Sequence, residues 1–373
     1  MIYKNTNTAT GGNHKFSYRI YSGFQTLSEI YAPLQSDTNQ KFFSSFSWYK
    51  NYCNHIPDSN SLVKLVGNER SDYPSLLPIQ RKFGSLGPFR YISLESLSNY
   101  YSPYYEPISR VDGERNSEFI RRALSRLTRE EDWDQLKFSP LIKDSCFYQQ
   151  LKSTLQGSNL YWQEYFCFEN WHQPLLGMSY LEYYRNRPGK LRSTIERKGK
   201  KLNTFGATFE IYRGTQGLDV AVNAYQKVYA KSWKRPESHP EFITDLIHIC
   251  AEKGALRLGI IWLEKEPIAV QLWIVHADTA YIYKLAYNQA YKRHSPGTLL
   301  TAYLMKHVID VDRVQEVDFL TGDDRYKRDW MSCRRELCGL LVMNPATTKG
   351  KLLAARHFGG RFVREMATWG KNG

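Results

Sequence analysis

Three strand-length apolar segments follow one another between residues 255 and 288. They cover residues 255–263, 268–276 and 279–288, and polar turns of four and two residues separate them. Such short turns join antiparallel neighbours, whereas a parallel connection needs about a dozen residues or more. The sequence therefore predicts a three-stranded antiparallel meander here, which excludes an all-helical chain.

The meander lies within an alternation of predicted helices and strands. Upstream we expect a strand over 207–212 and helices over 218–233 and 240–253; downstream, a helix over 298–311, a strand over 316–320, a helix over 326–331 and a strand over 336–343. Along this run, apolar residues recur with the spacing of a helix in some segments and with the spacing of a strand in others. We therefore predict an α/β (α+β) fold with a mixed, mostly antiparallel central sheet flanked by helices.

The first half of the chain lacks a sharp motif. Its patterns predict a helix near 44–55, strands over 61–67, 75–79 and 161–168, a helix over 116–127, and a loop-like, aromatic segment over 81–108. A length of 373 residues suggests two domains. Because the character changes near residue 178, we predict one lobe over 1–178, beginning with a flexible leader, and a second over 179–373.

The composition bounds the partners and the compartment. The formal net charge of +14 favours anionic partners. Six scattered cysteines form no pattern of a disulfide framework or a zinc site, so we expect reduced thiols and no metal. No secretory signal or run of 18 apolar residues is present. We therefore expect a cytoplasmic protein, with any membrane contact peripheral and on the inner face.

A basic segment over residues 184–202 carries eight cations and one acid, Glu196. A solvated basic helix explains this pattern. The alternative is an electrostatic site for an anionic membrane surface, a tRNA or another anionic substrate.

The turn before the helix at 298–311 has the chemistry of a phosphate site. Gly297 allows the backbone to approach a ligand closely, and the helix N-terminus offers N–H groups and a favourable dipole. Lys292, Arg293 and His294 add cationic donors. An ordinary turn explains the same residues without any ligand.

Several short sequences together resemble a known family. They are Ala286-Tyr287-Asn288, Ser295-Pro296-Gly297-Thr298-Leu299-Leu300, the segment VDFLTGDD at 317–324, YKRDW at 326–330, and Ser232-Trp233-Lys234. This set resembles the GNAT superfamily of acyltransferases, and within it the cellulose-biosynthesis-type acetyltransferases. The Fem-type peptidyltransferases are related and have two GNAT lobes, so the resemblance implies that residues 1–178 form a degenerate GNAT-like lobe.

The resemblance also implies a donor and its site. An acyl thioester, usually acyl-CoA, would lie between splayed central strands, with its pyrophosphate on Arg293, His294, Ser295, Gly297 and Thr298 and with Tyr287 beside it. The usual GNAT turn is richer in glycine than this one, which keeps only Gly297. An acyl carrier protein or, as in the Fem group, an aminoacyl-tRNA therefore remains open as the donor.

The chemistry of amine acylation suggests further site residues. A neutral amine attacks the thioester, the oxyanion that forms needs a donor, and the leaving thiolate takes a proton. The resemblance implies that a backbone N–H of the strand ending at Tyr287 is that donor. We predict catalytic roles for Asp318, Tyr326 and Lys327. Trp233, Lys234 and Asp324 are the predicted substrate-binding residues. Asp318 and Asp324 are alternatively caps or salt-bridge partners, and Trp233 is alternatively a core residue.

The function expected from the sequence is N-acyl transfer to an amine of an amino sugar, amino acid or peptide, in polysaccharide or cell-envelope biosynthesis. Residues 98–107, which hold four tyrosines, are either a packing loop between lobes or an aromatic wall for the substrate. A Fem-like aminoacyl-tRNA-dependent transferase is one alternative function. Another is a non-catalytic protein that binds an anionic polymer through residues 184–202.

Overall fold

A computed structural model describes residues 18–35, 40–56, 61–68, 74–109 and 114–369. Most of the predicted leader, residues 1–17, lies outside the described residues. Among the described residues, no helix combines the length and apolarity that crossing a bilayer requires.

The described chain forms thirteen strands. They are β1 Tyr18–Tyr21, β2 Leu62–Asn68, β3 Ser75–Leu86, β4 Phe89–Ser96, β5 Ile108–Ser109, β6 Gln135–Ile142, β7 Tyr161–Pro174, β8 Thr208–Tyr212, β9 Leu256–Leu263, β10 Glu266–His276, β11 Thr279–Tyr287, β12 Glu316–Thr321 and β13 Cys333–Met343.

Eleven α-helices accompany these strands in the described residues. They are α1 Ala32–Gln35, α2 Phe46–His55, α3 Glu114–Glu130, α4 Cys146–Gln156, α5 Tyr180–Arg185, α6 Gly189–Thr204, α7 Leu218–Ala230, α8 Pro240–Glu252, α9 Pro296–Asp310, α10 Lys327–Trp330 and α11 Thr348–Trp369. Short 3₁₀ helices cover Phe24–Thr26, Glu29–Tyr31, Phe42–Ser44 and Gln289–His294.

All the strands join one sheet in the order β1-β2-β3-β4-β6-β13-β7-β12-β11-β10-β9-β8, with β5 paired to β3. Every pairing is antiparallel except β4 with β6 and β11 with β12. The predicted fold class is therefore confirmed, and so is the meander, which is β9, β10 and β11.

The two parallel pairs occupy matching places in the two halves of the sheet. In the first half the antiparallel run β2-β3-β4 meets β6 through the connection that contains α3. In the second half the run β9-β10-β11 meets β12 through the connection that contains α9. The same supersecondary arrangement thus occurs twice.

The halves also exchange strands. Strand β13, from the end of the chain, lies between β6 and β7, and β7 pairs with β12. Helix α5 begins at a capping box on Ser179, where the Ser179 and Glu182 side chains cap each other's backbone N–H groups. A chain boundary near residue 178 therefore remains a prediction, and the sheet itself runs across it.

Two parts of the first half differ from expectation. The segment 81–108 was predicted to be a loop, which is wrong for its first part: β3 runs to Leu86 and β4 starts at Phe89. Gly87 and Pro88 form only the two-residue turn between these strands, and Gly87 has a φ of 60°. Strand β6 and helix α4 had no counterpart in the prediction.

Strand β10 shows where the core lies. Val270, Leu272 and Ile274 belong to one buried apolar cluster, whereas Ala269 and Trp273 belong to a second. Because side chains alternate along a strand, both faces of the sheet are covered at β10. Helix α9 packs into the second cluster and brings its N-terminus against the sheet.

Candidate active site

The cavity of greatest interest opens where β11 and β12 separate. The two strands pair only from Thr279 with Glu316 to Tyr281 with Asp318. Past this point β12 turns away, and Leu320 adopts a φ of 54°. On β11 the register against β10 shifts between Ile282 and Lys284, so the strand bulges there.

A cavity of about 220 Å³ fills the resulting gap. Its walls are Tyr100, Tyr101, Pro103, Lys234, Ile282, Tyr283, Lys284, Leu285, Phe319, Leu320, Thr321, Asp324, Tyr326 and Lys327. The tyrosine-rich segment 98–107 is both packing loop and wall. Tyr104 and Tyr105 are buried, whereas Tyr100, which is 62% exposed, lines the cavity.

Lys234 follows the end of α7 and reaches the cavity. Its Nζ lies 5.8 Å from the centre of the Tyr229 ring and 5.9 Å from that of Trp233. Burial, together with the positive charge of Lys284, lowers the pKa of Lys234 to about 8. A measurable fraction of this amine is therefore neutral near physiological pH.

Lys284 on β11 forms a buried ion pair that the sequence analysis missed. Its Nζ lies 2.9 Å from Glu237 Oε1 and 4.7 Å from the centre of the Tyr101 ring. Tyr101 Oη donates to the other oxygen, Glu237 Oε2, at 2.8 Å. Burial lowers the pKa of Lys284 despite this pair. A lysine within the apolar strand YIYKLAY was the available signal, but nothing in the sequence indicated its partner.

Lys327, predicted to be catalytic, lies in the cavity wall with its ammonium fully engaged. It donates to the backbone oxygens of Phe319, Thr321 and Gly322 at 3.2, 2.6 and 3.2 Å. Its Nζ also lies 3.8 Å from Asp324 Oδ2. An ammonium has three hydrogens to donate. The observed role of Lys327 is thus to hold the chain after β12 in its turn.

Tyr326 and Asp324 also line the cavity, as part of the same turn. The Tyr326 ring packs edge-on against Phe319, with centroids 5.7 Å apart. Burial, and secondarily the charge of Asp324, raises the pKa of Tyr326. Its hydroxyl is therefore protonated at neutral pH and able to donate.

Asp318, the other predicted catalytic residue, lies outside this cavity lining. It is 2% exposed, and its Oδ1 accepts from Leu320 N at 2.6 Å and from Asn170 Nδ2 at 2.5 Å. Its Oδ2 pairs with Arg335 on β13. These contacts hold β12, β7 and β13 together at the point where the cavity begins.

The predicted phosphate turn is half-buried at the start of α9. Ser295 adopts the left-handed conformation, with φ 54° and ψ 44°, at a place where glycine would be unstrained. Pro296 has no N–H and Leu299 N donates to Ser295 O, so the remaining N–H groups of the first turn are those of Gly297 and Thr298.

Cations surround this turn. Arg293 is exposed, and its Nε donates to His294 Nε2 at 3.0 Å. Lys198 of α6 donates to Arg293 O at 2.7 Å. Burial, then the charges of Arg293, Lys201 and Lys198, lowers the pKa of His294. The basic helix therefore lies beside the turn.

The basic segment 184–202 is partly structural. Arg187 is buried and donates to Trp330 O and to Ser332 Oγ, both at 2.8 Å. Arg185, Lys190, Arg197, Lys200 and Lys201, by contrast, are exposed. The solvated basic helix is thus what the structure shows, and these exposed side chains remain available to an anion.

Buried polar contacts fix the turn on the sheet. Gln271 of β10 donates to Gly297 O at 2.9 Å and to Thr301 Oγ1 at 2.8 Å, and it accepts from Trp273 Nε1 at 2.8 Å. A Cβ added to Gly297 would lie 3.1 Å from the Tyr287 ring. Only a hydrogen at residue 297 leaves this close approach undisturbed.

The predicted site residues therefore fall into two groups and one outlier. Lys234, Asp324, Tyr326 and Lys327 meet at the cavity. Tyr287, Arg293, His294, Ser295, Gly297 and Thr298 meet at the turn. Trp233 connects the groups, because its ring lies tilted against Tyr287 with centroids 4.5 Å apart and it precedes Lys234. Asp318 belongs to neither.

Comparison with known proteins gives this geometry a context. The family model described as an acetyltransferase (GNAT) domain matches residues 189–328, which contain the meander, the turn and β12. Comparison with curated protein sequences found no match to this chain.

Solved structures share the fold over most of the chain. FemX aligns with a TM-score of 0.56 at 11% identity, over 84% of this chain and 94% of its own. The C-terminal domain of a putative lysylphosphatidylglycerol synthetase from Agrobacterium fabrum aligns with a TM-score of 0.53 at 14% identity, over 88% and 95%. A conserved protein of unknown function from Bacteroides thetaiotaomicron aligns with a TM-score of 0.50 at 10% identity, over 84% and 95%.

At these low identities the similarity to solved structures shows the fold alone. The evidence for a transfer reaction is the family-model match. Residues 189–328 of this chain are similar to a GNAT acetyltransferase domain, and this similarity supports a transferase.

Proposed function

We propose that the chain transfers an acyl group from a carrier thioester to an amine in the cavity between β11 and β12. The observation that carries this proposal is the separation of these strands after three paired residues, with a cavity at that point. Separation leaves backbone N–H groups along one edge of β11 without a neighbouring strand. Such groups stabilise the oxyanion that forms when an amine attacks a thioester.

The chain's own side chains suit the remaining steps. The lysines of the cavity favour the neutral form of a nearby acceptor amine, because like charges lower its pKa. Tyr326 then supplies a proton to the thiolate as the C–S bond breaks, and the proton lost by the acylated amine nitrogen replaces it. Asp318 acts as a positioning residue, because its carboxylate holds β12, β7 and β13 together where the gap between β11 and β12 begins.

The turn at 293–298 is the proposed phosphate site of the donor. Two N–H groups, the exposed Arg293 and the nearby Lys198 and Lys201 suit the pyrophosphate of acyl-CoA. Tyr287, whose ring lies against Gly297, ends the strand that forms one wall of the cavity. Acyl-CoA would thus be a co-substrate whose thioester reaches into the gap.

A thermal-shift series tests the donor. We expect acetyl-CoA or a longer acyl-CoA to raise the melting temperature of the full chain. Gly297→Val should abolish that increase because its side chain collides with Tyr287. Gly214→Val is the matched control, since a Cβ there meets nothing within 4 Å. Equal stabilisation of wild type and Gly297→Val would contradict the placement of the donor.

A second candidate is Fem-like transfer from an aminoacyl-tRNA. Pro296 removes one N–H from the usual anion cradle, and α6 presents exposed cations beside the turn. Both features suit a polyanion better than a compact pyrophosphate. Aminoacylated tRNA in the same series separates the two donors. Stabilisation only by nucleic acid that carries no amino acid would favour a non-catalytic binder.

The finer assignments belong to the same proposal. We assign residues 1–178 and 179–373 to two GNAT-like lobes because the three-strand run and parallel pair occur in each half. A role in polysaccharide or cell-envelope biosynthesis and a place among the cellulose-biosynthesis-type acetyltransferases follow from the sequence resemblance. A cytoplasmic site of action follows from the scattered cysteines, which suit reduced thiols. A donor and acceptor screen of the purified chain tests the proposed biosynthetic role.

A further inference from the structure

The cavity holds three ammonium groups, and two of them have their own carboxylate. Lys284 is paired with Glu237 at 2.9 Å, and Lys327 lies 3.8 Å from Asp324. Lys234 has neither an ion pair nor a hydrogen-bond acceptor for its Nζ in the described part of the chain. One positive charge of the cavity is therefore left uncompensated.

The neighbouring carboxylates are already engaged and do not form an ion pair with Lys234. Glu237 uses Oε1 for Lys284, while its Oε2 accepts from Tyr101 at 2.8 Å and faces the Tyr100 hydroxyl at 3.4 Å. Asp324 Oδ2 lies 3.8 Å from Lys327 Nζ, and the Asp324 side chain is 65% exposed. A shift of either carboxylate to Lys234 would break an existing contact.

Aromatic contacts do not replace the missing anion. The Tyr229 and Trp233 rings lie 5.8 and 5.9 Å from Nζ, near the outer limit of about 6 Å for a cation–π interaction. Half-burying an ammonium without a counter-ion costs free energy, as its lowered pKa reflects. A ligand that brings an anion to this position would recover that cost.

We propose that Lys234 binds an oxyanion of the acceptor, a carboxylate or phosphate carried on the same molecule as the amine that is acylated. This inference rests on the proposed function, because it names the class of acceptor. A cavity of about 220 Å³ admits a small group such as an amino acid or one end of a sugar phosphate. Tyr100 and Tyr101 then lie against the uncharged part of the acceptor.

Paired probes test the proposal by direct binding. Alanine is compared with alaninamide, and glucosamine 6-phosphate with glucosamine, each titrated into the full chain at pH 7 in a calorimeter. We expect at least one probe that carries the anionic group to bind ten-fold or more tightly than the partner that lacks it. The pair that shows the preference identifies carboxylate or phosphate as the source of the anion.

Two variants connect the preference to Lys234. Lys234→Met should bring the ratio of the two affinities within each probe pair close to one. Lys231→Met, which removes an exposed lysine at the end of the same helix, should leave the ratio unchanged. Equal binding of both members of each pair by the wild type, no binding of any probe, or a preference that survives Lys234→Met would overturn the proposal.

Failure here differs from failure of the proposed function. Donor stabilisation is measured without an acceptor, and acceptor preference is measured without a donor. A chain that binds acyl-CoA yet shows no acceptor preference would retain the acyl-transfer proposal and lose only the role of Lys234.

Discussion

Individual ammonium groups around the cavity differ in what surrounds them. Lys327 is held by backbone oxygens, Lys284 by Glu237, and Lys234 by neither. These differences determine which lysine is available to a ligand. They also predict that substitution of each lysine will change the stability of the chain differently.

Lys234→Met should stabilise the chain at pH 7. The folded-state pKa of about 8 lies below that of an unfolded lysine, so the charged form is disfavoured by folding and the penalty is complete below pH 8. We expect a gain of about 1–3 kcal/mol in the free energy of unfolding at pH 7. The gain should vanish as the pH rises through 8 toward 10.5, because the wild-type amine then loses its proton in both states.

Denaturant titrations at pH 7 and at pH 10 measure this difference. Lys231→Met, at an exposed position, serves as the control and should match the wild type at both values. A stability gain that is the same at both pH values would show that packing, and not charge, explains it.

Asp318→Asn should lower the free energy of unfolding by about 1–3 kcal/mol, because it removes the buried charge that accepts from Leu320 N and leaves Arg335 with Glu316 as its carboxylate partner. Asp132→Asn, in an exposed loop, should change it by less than about 0.5 kcal/mol. Denaturation followed by circular dichroism measures both. An Asp318→Asn variant that keeps full stability but loses turnover would instead support the catalytic role predicted from the sequence.

Sequence reasoning at this scale found residues whose neighbours in the chain reveal their role. Gly297 stands at a helix start, and Lys234, Asp324 and Tyr326 occur within recognisable short motifs. The ion pair of Lys284 with Glu237 was not predicted, because it joins residues that are distant in the sequence. The engagement of Lys327 with three carbonyls also depends on the turn after β12, which no local pattern predicts.

Single elements were predictable where the period of apolar residues was clear. The meander, α7, α8 and α9 were found because their patterns are strong. Strand β4 was missed because Gly84, Gly87 and Pro88 suggested a loop, although only the turn at 87–88 interrupts the pairing. The splay between β11 and β12 is a tertiary feature, and only the family resemblance implied it.

Helix α9 depends on Gln271 for its attachment to β10. Gln271→Leu should cost about 2 kcal/mol of stability, because it leaves the Trp273 N–H buried without an acceptor. Gln226→Leu, on the exposed face of α7, is the matched control. Thermal denaturation of both variants is the measurement, and equal melting temperatures would mean that Gln271 does not anchor the turn.

The whole molecule is joined by the exchange of β7 and β13. Since β13 lies between β6 and β7, each half completes the sheet of the other. No sequence pattern predicts such an exchange, because the order of strands in a sheet depends on contacts between distant residues. The boundary near residue 178 remains a prediction, and strands from both sides of it pair within one sheet.

Fragments 1–178 and 179–373 should not fold separately. Produced alone, the second fragment lacks β7 between β12 and β13, which exposes unpaired strand edges and promotes aggregation. Co-produced fragments should associate and co-elute in size-exclusion chromatography. A monomeric, cooperatively unfolding 179–373 fragment would contradict this prediction.

Hydrogen–deuterium exchange of the full chain tests most directly whether an acyl donor binds at the gap and the turn. The chain is incubated with acetyl-CoA, a long-chain acyl-CoA or an aminoacyl-tRNA, and exchange is followed peptide by peptide. We predict that one donor class slows exchange both in β11 from residue 282 to 287 and at the turn over 295–299. Unchanged exchange at both places with every donor, or protection confined to other parts of the sheet, would contradict the account.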